Sequence, residues 1–160
     1  MNKSINQYKD WKCKYASVIN ALELQWVIQD PQKELDLVQD WLGTMWEVEK
    51  YFKEKGFITW LQKIKHFQIK IFLRKWIPVC TGINGYKKSS IMTPPYILEF
   101  EDRIGSHAFV MLSYDESTKL YKCENSWWEK YQYFYLRESD IRKLITPFIC
   151  IPSIKNISNP

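Results

Sequence analysis

At 160 residues, with 46% apolar and 16% aromatic side chains, the chain is long and apolar enough to bury a core as one compact domain, which excludes a disordered polypeptide. Its formal charge of +5 is the balance of 23 basic against 18 acidic residues, compatible with an acidic partner without requiring one. No apolar run approaches the roughly 18 residues that cross a bilayer, and the opening MNKSINQYKDWK has no apolar signal core, so neither a membrane span nor a secretory leader is expected.

The first predicted element is a helix from about Cys13 to Gln29, because Tyr15, Val18, Ile19, Leu22 and Trp26 recur at helical spacing. Asp10 is placed to cap it, and Asp30-Pro31 to end it. Thr44 to Lys55 reads as a second helix with Gly56 as the residue that closes it. Lys63 to Lys75 reads as a third. Its lysines and its Ile64, Phe67, Ile69, Ile71, Phe72 and Leu73 form a basic amphipathic stretch that could meet nucleic acid or an anionic membrane. The simpler expectation is a solvated face on a packed helix, so no membrane partner is expected, and a nucleic-acid partner is disfavoured because the aromatic and basic residues match no nucleic-acid-binding motif.

Beyond Pro78 the pattern changes to strands: Val79 to Ile83, Tyr96 to Phe100, His107 to Tyr114, Lys119 to Glu124 and Tyr131 to Leu136. Asn84-Gly85, Pro94-Pro95, Gly105 and Asp115 to Thr118 supply turns. Helices first and strands second is an α+β layout. The eight Trp and ten Tyr read as bulky core and half-buried surface.

Four cysteines, Cys13, Cys80, Cys123 and Cys150, form no CxxC pair and have no paired histidines, so no zinc site, metal or cofactor is expected. Free thiols of this kind suit an intracellular, cytoplasmic protein. Cys80, Cys123 and Cys150 lie in apolar runs and read as small buried hydrophobes.

Chemistry enters with a hairpin. Folding Gly105–Leu136 about a turn near Glu116-Ser117 pairs positions whose numbers sum to 232 or 233, which sets His107 opposite Asn125 or Ser126. Opposed side chains in an antiparallel pair stand roughly 4.5–5.5 Å apart at Cβ. An asparagine oxygen there can accept from one imidazole nitrogen and leave the other as a base, and a nearby thiol would complete a nucleophile, base and orienter.

The run from His107 to Asp115, HAFVMLSYD, resembles the histidine strand of the papain-like cysteine peptidases. Asn125-Ser126-Trp127 followed by Tyr133-Phe134-Tyr135-Leu136 is similar to that family's asparagine motif and its next strand. Gln7 precedes Cys13 by six residues, the family's spacing between oxyanion-hole glutamine and nucleophile, and Tyr15 to Glu23 is similar to its nucleophile helix. Gly43, Trp46 and Gly56 are similar to a groove-wall glycine and the short helix behind it, and Ile77-Pro78-Val79 to the strand that opens the β lobe.

The resemblance implies a single catalytic domain over 1–160: a helical lobe over about 8–75, an antiparallel β lobe over about 76–150, a tail over 151–160, and the active site between the lobes. It implies Cys13 as nucleophile, His107 as base, Asn125 as orienter and Gln7 as oxyanion donor, with substrate contacts at Gly43, Gly82, Ser106 and Trp127. The implied reaction is hydrolysis of a peptide or isopeptide bond through a thioester, on a peptide or protein substrate. A protein inhibitor or regulator is a further compatible partner.

The chain departs from the family at Trp11-Lys12-Cys13-Lys14, where Cys-Gly-[Ser/Ala]-Cys-[Trp/Tyr] is usual, and in having Trp128 in place of a common glycine. No segment ahead of Gln7 reads as an inhibitory propeptide. A helix N-terminus and an imidazolium beside Cys13 would both lower its pKa, which predicts labelling of this thiol in mild acid. Three alternatives share these residues or most of them: an acyl transferase using the same thioester, a bacteriocin-processing peptidase, and a non-catalytic papain-like binding module or decoy.

Overall fold

The computed structural model describes residues 12–38, 44–102, 105–125 and 133–153. In chain order these form α1 (Cys13–Leu24), α2 (Pro31–Leu37), α3 (Met45–Glu54), β1 (Ile58–Lys63), a 3-10 turn His66–Gln68, α4 (Ile69–Arg74) and β2 (Val79–Asn84). There follow a 3-10 turn Lys88–Ile91, β3 (Ser106–Asp115), β4 (Leu120–Glu124), β5 (Tyr133–Arg137), a 3-10 segment Glu138–Lys143 and β6 (Phe148–Pro152). The strands make one antiparallel sheet of order β1-β6-β2-β3-β4-β5, an α+β architecture as the sequence predicts.

Alternation along the central strands sends side chains into two cores. Cys80 and Val110 face a cluster made with Tyr15, Val18, Ile19 and Leu22 of α1, Leu35 of α2, and Val48 and Phe52 of α3. Val79, Ile83, Phe109 and Met111 face the other cluster, closed by Ile69 and Leu73 of α4 with Tyr121 and Phe134. The helices α1 and α4 therefore cover opposite faces of the sheet.

Local chemistry explains the helix limits. α3 begins at Thr44, whose Oγ1 accepts from Glu47 N at 3.3 Å while the Glu47 carboxylate accepts from Thr44 N at 2.6 Å, a reciprocal capping box. It closes on Gly56 at φ +74, with Phe57 N–H donating to Phe52 O, as expected for a glycine in the left-handed region. α1 stops at Leu24, short of the predicted Gln29, because Trp26 adopts φ 61 and Val27 N–H turns back to Leu22 O. Asp30, read as a terminator, is instead the N-cap of the unforeseen α2: its Oδ1 accepts from Lys33 N at 3.2 Å and Pro31 fills the first turn. The predicted cap of α1, Asp10, lies outside the described residues.

The single helix predicted over Lys63–Lys75 is corrected. Its start belongs to β1, which pairs with β6, and only Ile69–Arg74 is α-helical. The strand-forming Ile58, Thr59 and Trp60 precede it and draw the segment into the sheet. Tyr96–Phe100, predicted as a strand, makes only the isolated bridges Tyr86↔Phe100 and Ile97↔Tyr135, with Tyr96 at φ 57 breaking the extended run.

The β3–β4 hairpin is offset from the predicted register. Val110 pairs Glu124 and Met111 pairs Cys123, then a bulge shifts the pairs to Ser113↔Lys122 and Tyr114↔Tyr121. The turn sits one residue later than expected because Asp115 Oδ1 accepts from Ser117 N at 2.8 Å and Lys119 takes φ 57.

Candidate active site

Cys13 is the first residue of α1. Lys12, at the N-cap, makes no capping side-chain bond, and the first turn contains no acidic residue. The first N–H groups of the helix and the positive end of its dipole therefore lie beside the Cys13 sulfur. α1 lies across β3, and the Ala108 backbone hydrogen-bonds the sulfur. His107 is the preceding residue of that strand, so the thiol and the imidazole come from adjoining pieces of two elements.

His107 pairs Ile83 across β2–β3. Its Nε2 lies 2.8 Å from Asn125 Oδ1. Asn125 follows the last residue of β4; continuing the Val110↔Glu124 pair puts it level with Phe109, two residues along from His107 and on the same face. An amide oxygen only accepts, so Nε2 is the ring nitrogen that donates in this contact. Both partners are buried, at 4% and 1% exposure, which shields their bond from water. The Tyr86 and Phe109 rings lie 6.0 and 6.4 Å from the imidazole centroid, tilted by about 30°, and fix its plane.

A cleft of about 240 Å³ opens beside His107, and Cys13, Gly82, Ser106 and His107 all line it. Gly82 is needed for that shape: a Cβ there would stand 2.8 Å from His107 O and 3.2 Å from Ile145 Cδ1. Ile145 is held against β2 by its N–H to Gly82 O and by its carbonyl, which accepts from Thr81 Oγ1 at 2.8 Å. Met45, Ile145 and Phe148 supply apolar wall that the sequence reading did not identify. Of the other predicted site residues, Gln7, Gly43 and Trp127 lie outside the described residues.

The electrostatics reverse one expectation. Burial pushes the Cys13 thiol above its ordinary value, and the hydrogen bond from the Ala108 backbone, the Lys14 charge and the first backbone N–H groups of α1 only partly offset it. Burial thus opposes ionisation of this sulfur where the sequence predicts that its surroundings favour it. Cys80 and Cys123 are held well above the ordinary thiol value by complete burial, Cys80 further by its neighbour Cys150. They are structural side chains of the sheet.

Among the described residues no three His, Cys, Asp or Glu side chains converge to hold a metal ion, and no helix is long and apolar enough to cross a membrane. No family model matches the chain, and no curated protein matches it by sequence. Among solved structures it is similar to xylellain, a cysteine protease from Xylella fastidiosa, at 16% identity and a TM-score of 0.47. That superposition covers 59% of this chain and 40% of the xylellain chain, so the similar part spans about two fifths of that protein's length.

Proposed function

We propose that this chain is a papain-like cysteine peptidase that hydrolyses peptide or isopeptide bonds through a thioester at Cys13. The observation that carries the reading is that Cys13, at the start of α1, and His107 line one cleft, with Asn125 hydrogen-bonded to His107 from behind it. His107 Nδ1 takes the thiol proton as the sulfur attacks the carbonyl carbon. The tetrahedral intermediate then collapses, the C–N bond breaks, and the imidazolium returns its proton to the leaving amine. Water, deprotonated by the same nitrogen, attacks the thioester; the C–S bond breaks, the imidazolium returns that proton to the Cys13 sulfur, and the acid product leaves. Asn125 holds the ring in the tautomer this sequence needs. The Cys13 backbone N–H and the Gln7 amide are the proposed oxyanion donors, each of a kind worth roughly 2.7–4 kcal/mol. All four cysteines are free, which suits a reducing compartment.

The burial of Cys13 favours one other reading, a binding module that retains the fold without an activated thiol. Hydrolysis of a fluorogenic peptide library separates the two. The peptidase reading expects turnover by the wild-type chain, none by Cys13→Ala, and a covalent adduct at Cys13 with an electrophilic peptide. Hydrolysis retained in pure Cys13→Ala, or an unmodified Cys13, would sink it.

A further inference from the structure

The segment 55–98 contains no acidic residue and eight Lys or Arg, a formal charge of +8; the other 116 residues then carry −3 of the total +5. Three of those cations are answered from elsewhere: Lys70 pairs with Glu138, Arg74 with Glu116, and Lys87 with Glu99. Lys63, Lys65 and Lys75 meet no carboxylate among the described residues, and all three are exposed.

The same segment exposes large apolar side chains where a solvated helix would carry polar ones. Ile69 and Leu73 of α4 turn into the core. At about 100° per residue the opposite side is led by Phe67, Ile71 and Lys75, spaced i, i+4 and i+8. Phe67 is 71% exposed and Ile71 46%. Trp76, the residue that closes α4, is 86% exposed at φ 60, a left-handed conformation that favours glycine. The fold gains no packing from that ring and strains the backbone to hold it.

We infer that Phe67, Ile71 and Trp76, flanked by Lys63, Lys65 and Lys75, form a docking face for an anionic lipid surface. Single exposed apolar side chains on a turn and short helix, with lysines near them in the chain, suit insertion into a soft interface. A tryptophan at the edge of such a face suits the headgroup level. A second copy of this face would bring like charges together, so self-association through it is disfavoured.

The test is flotation of the full chain with vesicles of phosphatidylcholine containing about 30% phosphatidylserine, against pure phosphatidylcholine, at low and high salt. Binding is expected to the anionic vesicles only and to fall with salt, because surface attraction decays within a Debye length. Each of Lys65→Gln and Lys75→Gln is expected to weaken binding about fivefold. Phe67→Ser/Ile71→Ser/Trp76→Ser, all at exposed positions, is expected to abolish it with the circular dichroism spectrum unchanged. Should that triple variant lose its fold, the single variant Trp76→Gly, which relieves the backbone, must still weaken binding. No flotation, equal flotation with neutral vesicles, or binding unchanged in the variants overturns the proposal. So does retention on poly-glutamate without vesicle binding, which would assign the face to an acidic protein.

Discussion

Asn125 reaches the His107 ring at Nε2, over 2.8 Å, from a position level with Phe109 and two residues along the strand pair. Because the amide oxygen can only accept, this contact selects the tautomer and directs Nδ1 away from the asparagine. Asn125→Ala removes the acceptor and leaves a buried N–H unpaired. It should cost about 1–3 kcal/mol of stability. Since general-base catalysis is worth roughly 10²–10⁴-fold, kcat should fall by on the order of tenfold or more, with little change in KM. Steady-state kinetics beside urea unfolding checks both; kcat within twofold of wild type would remove Asn125 from the catalytic machinery.

Gly82 tests the cleft wall. An alanine Cβ would meet the His107 carbonyl oxygen at 2.8 Å, a backbone atom that cannot rotate away, and Ile145 Cδ1 at 3.2 Å. β2 and β3 must separate or Ile145 must shift, and overpacking of this kind costs roughly 1–3 kcal/mol. Gly82→Ala should therefore lower the urea midpoint and impair turnover together, through displacement of His107. A variant of wild-type stability and activity would show that the strands accommodate the methyl.

The start of α1 at Cys13, the helix beginning at Thr44 and the meeting of His107 with Asn125 were legible because each rests on local spacing or a single hairpin. The hairpin register was misplaced, yet the pair survived: on the His107 side of the bulge the pairing sum moves from 232 to 234, a shift of two, which keeps Asn125 on the face of His107. β1 was not legible, because its strand character depends on β6, which lies at the other end of the chain. Ile145 and Phe148 were missed as cleft walls because Glu138–Lys143 and the residues after it show no periodicity to orient them. The burial of Cys13 arises where α1 crosses β3, a contact no local pattern encodes.

Alkaline stability follows from the buried groups. Cys80 and Cys123 are held well above the ordinary thiol value and Tyr121 is pushed up to about 12, all chiefly by burial. A raised folded-state pKa means the native state keeps a proton that the unfolded chain releases. The stabilisation is complete below the unfolded values, about 8.5 for thiols and 10 for tyrosine, and is lost as pH climbs towards the folded ones. Urea midpoints should hold steady from pH 6 to 8 and decline between about pH 8.5 and 11. Cys123→Ala should be less stable at neutral pH and show a shallower decline. A midpoint independent of pH across that window would contradict the burial of these groups.

The reactivity of Cys13 gives the sharpest test, because sequence and structure predict opposite outcomes. A helix N-terminus and a neighbouring imidazolium would favour thiolate in mild acid. In the structure burial is the larger effect, and the Ala108 backbone, the Lys14 charge and the helix N–H groups reduce it without reversing it. Fewer than the roughly 3% of sites ionised in an ordinary thiol at pH 7 should then carry a thiolate. Alkylation of Cys13 by iodoacetamide should be slow at pH 5.5 and climb through pH 8 to 10. Lys14→Met, which removes a favourable charge, should move the profile to still higher pH. Cys80 and Cys123, fully buried and higher in pKa, should label more slowly than Cys13 throughout, and peptide mapping reads all of these sites in one sample. Labelling of Cys13 as fast at pH 5.5 as at pH 8.5 would instead establish a resting thiolate–imidazolium pair. Proton transfer from Cys13 to His107 would then precede substrate binding rather than accompany attack.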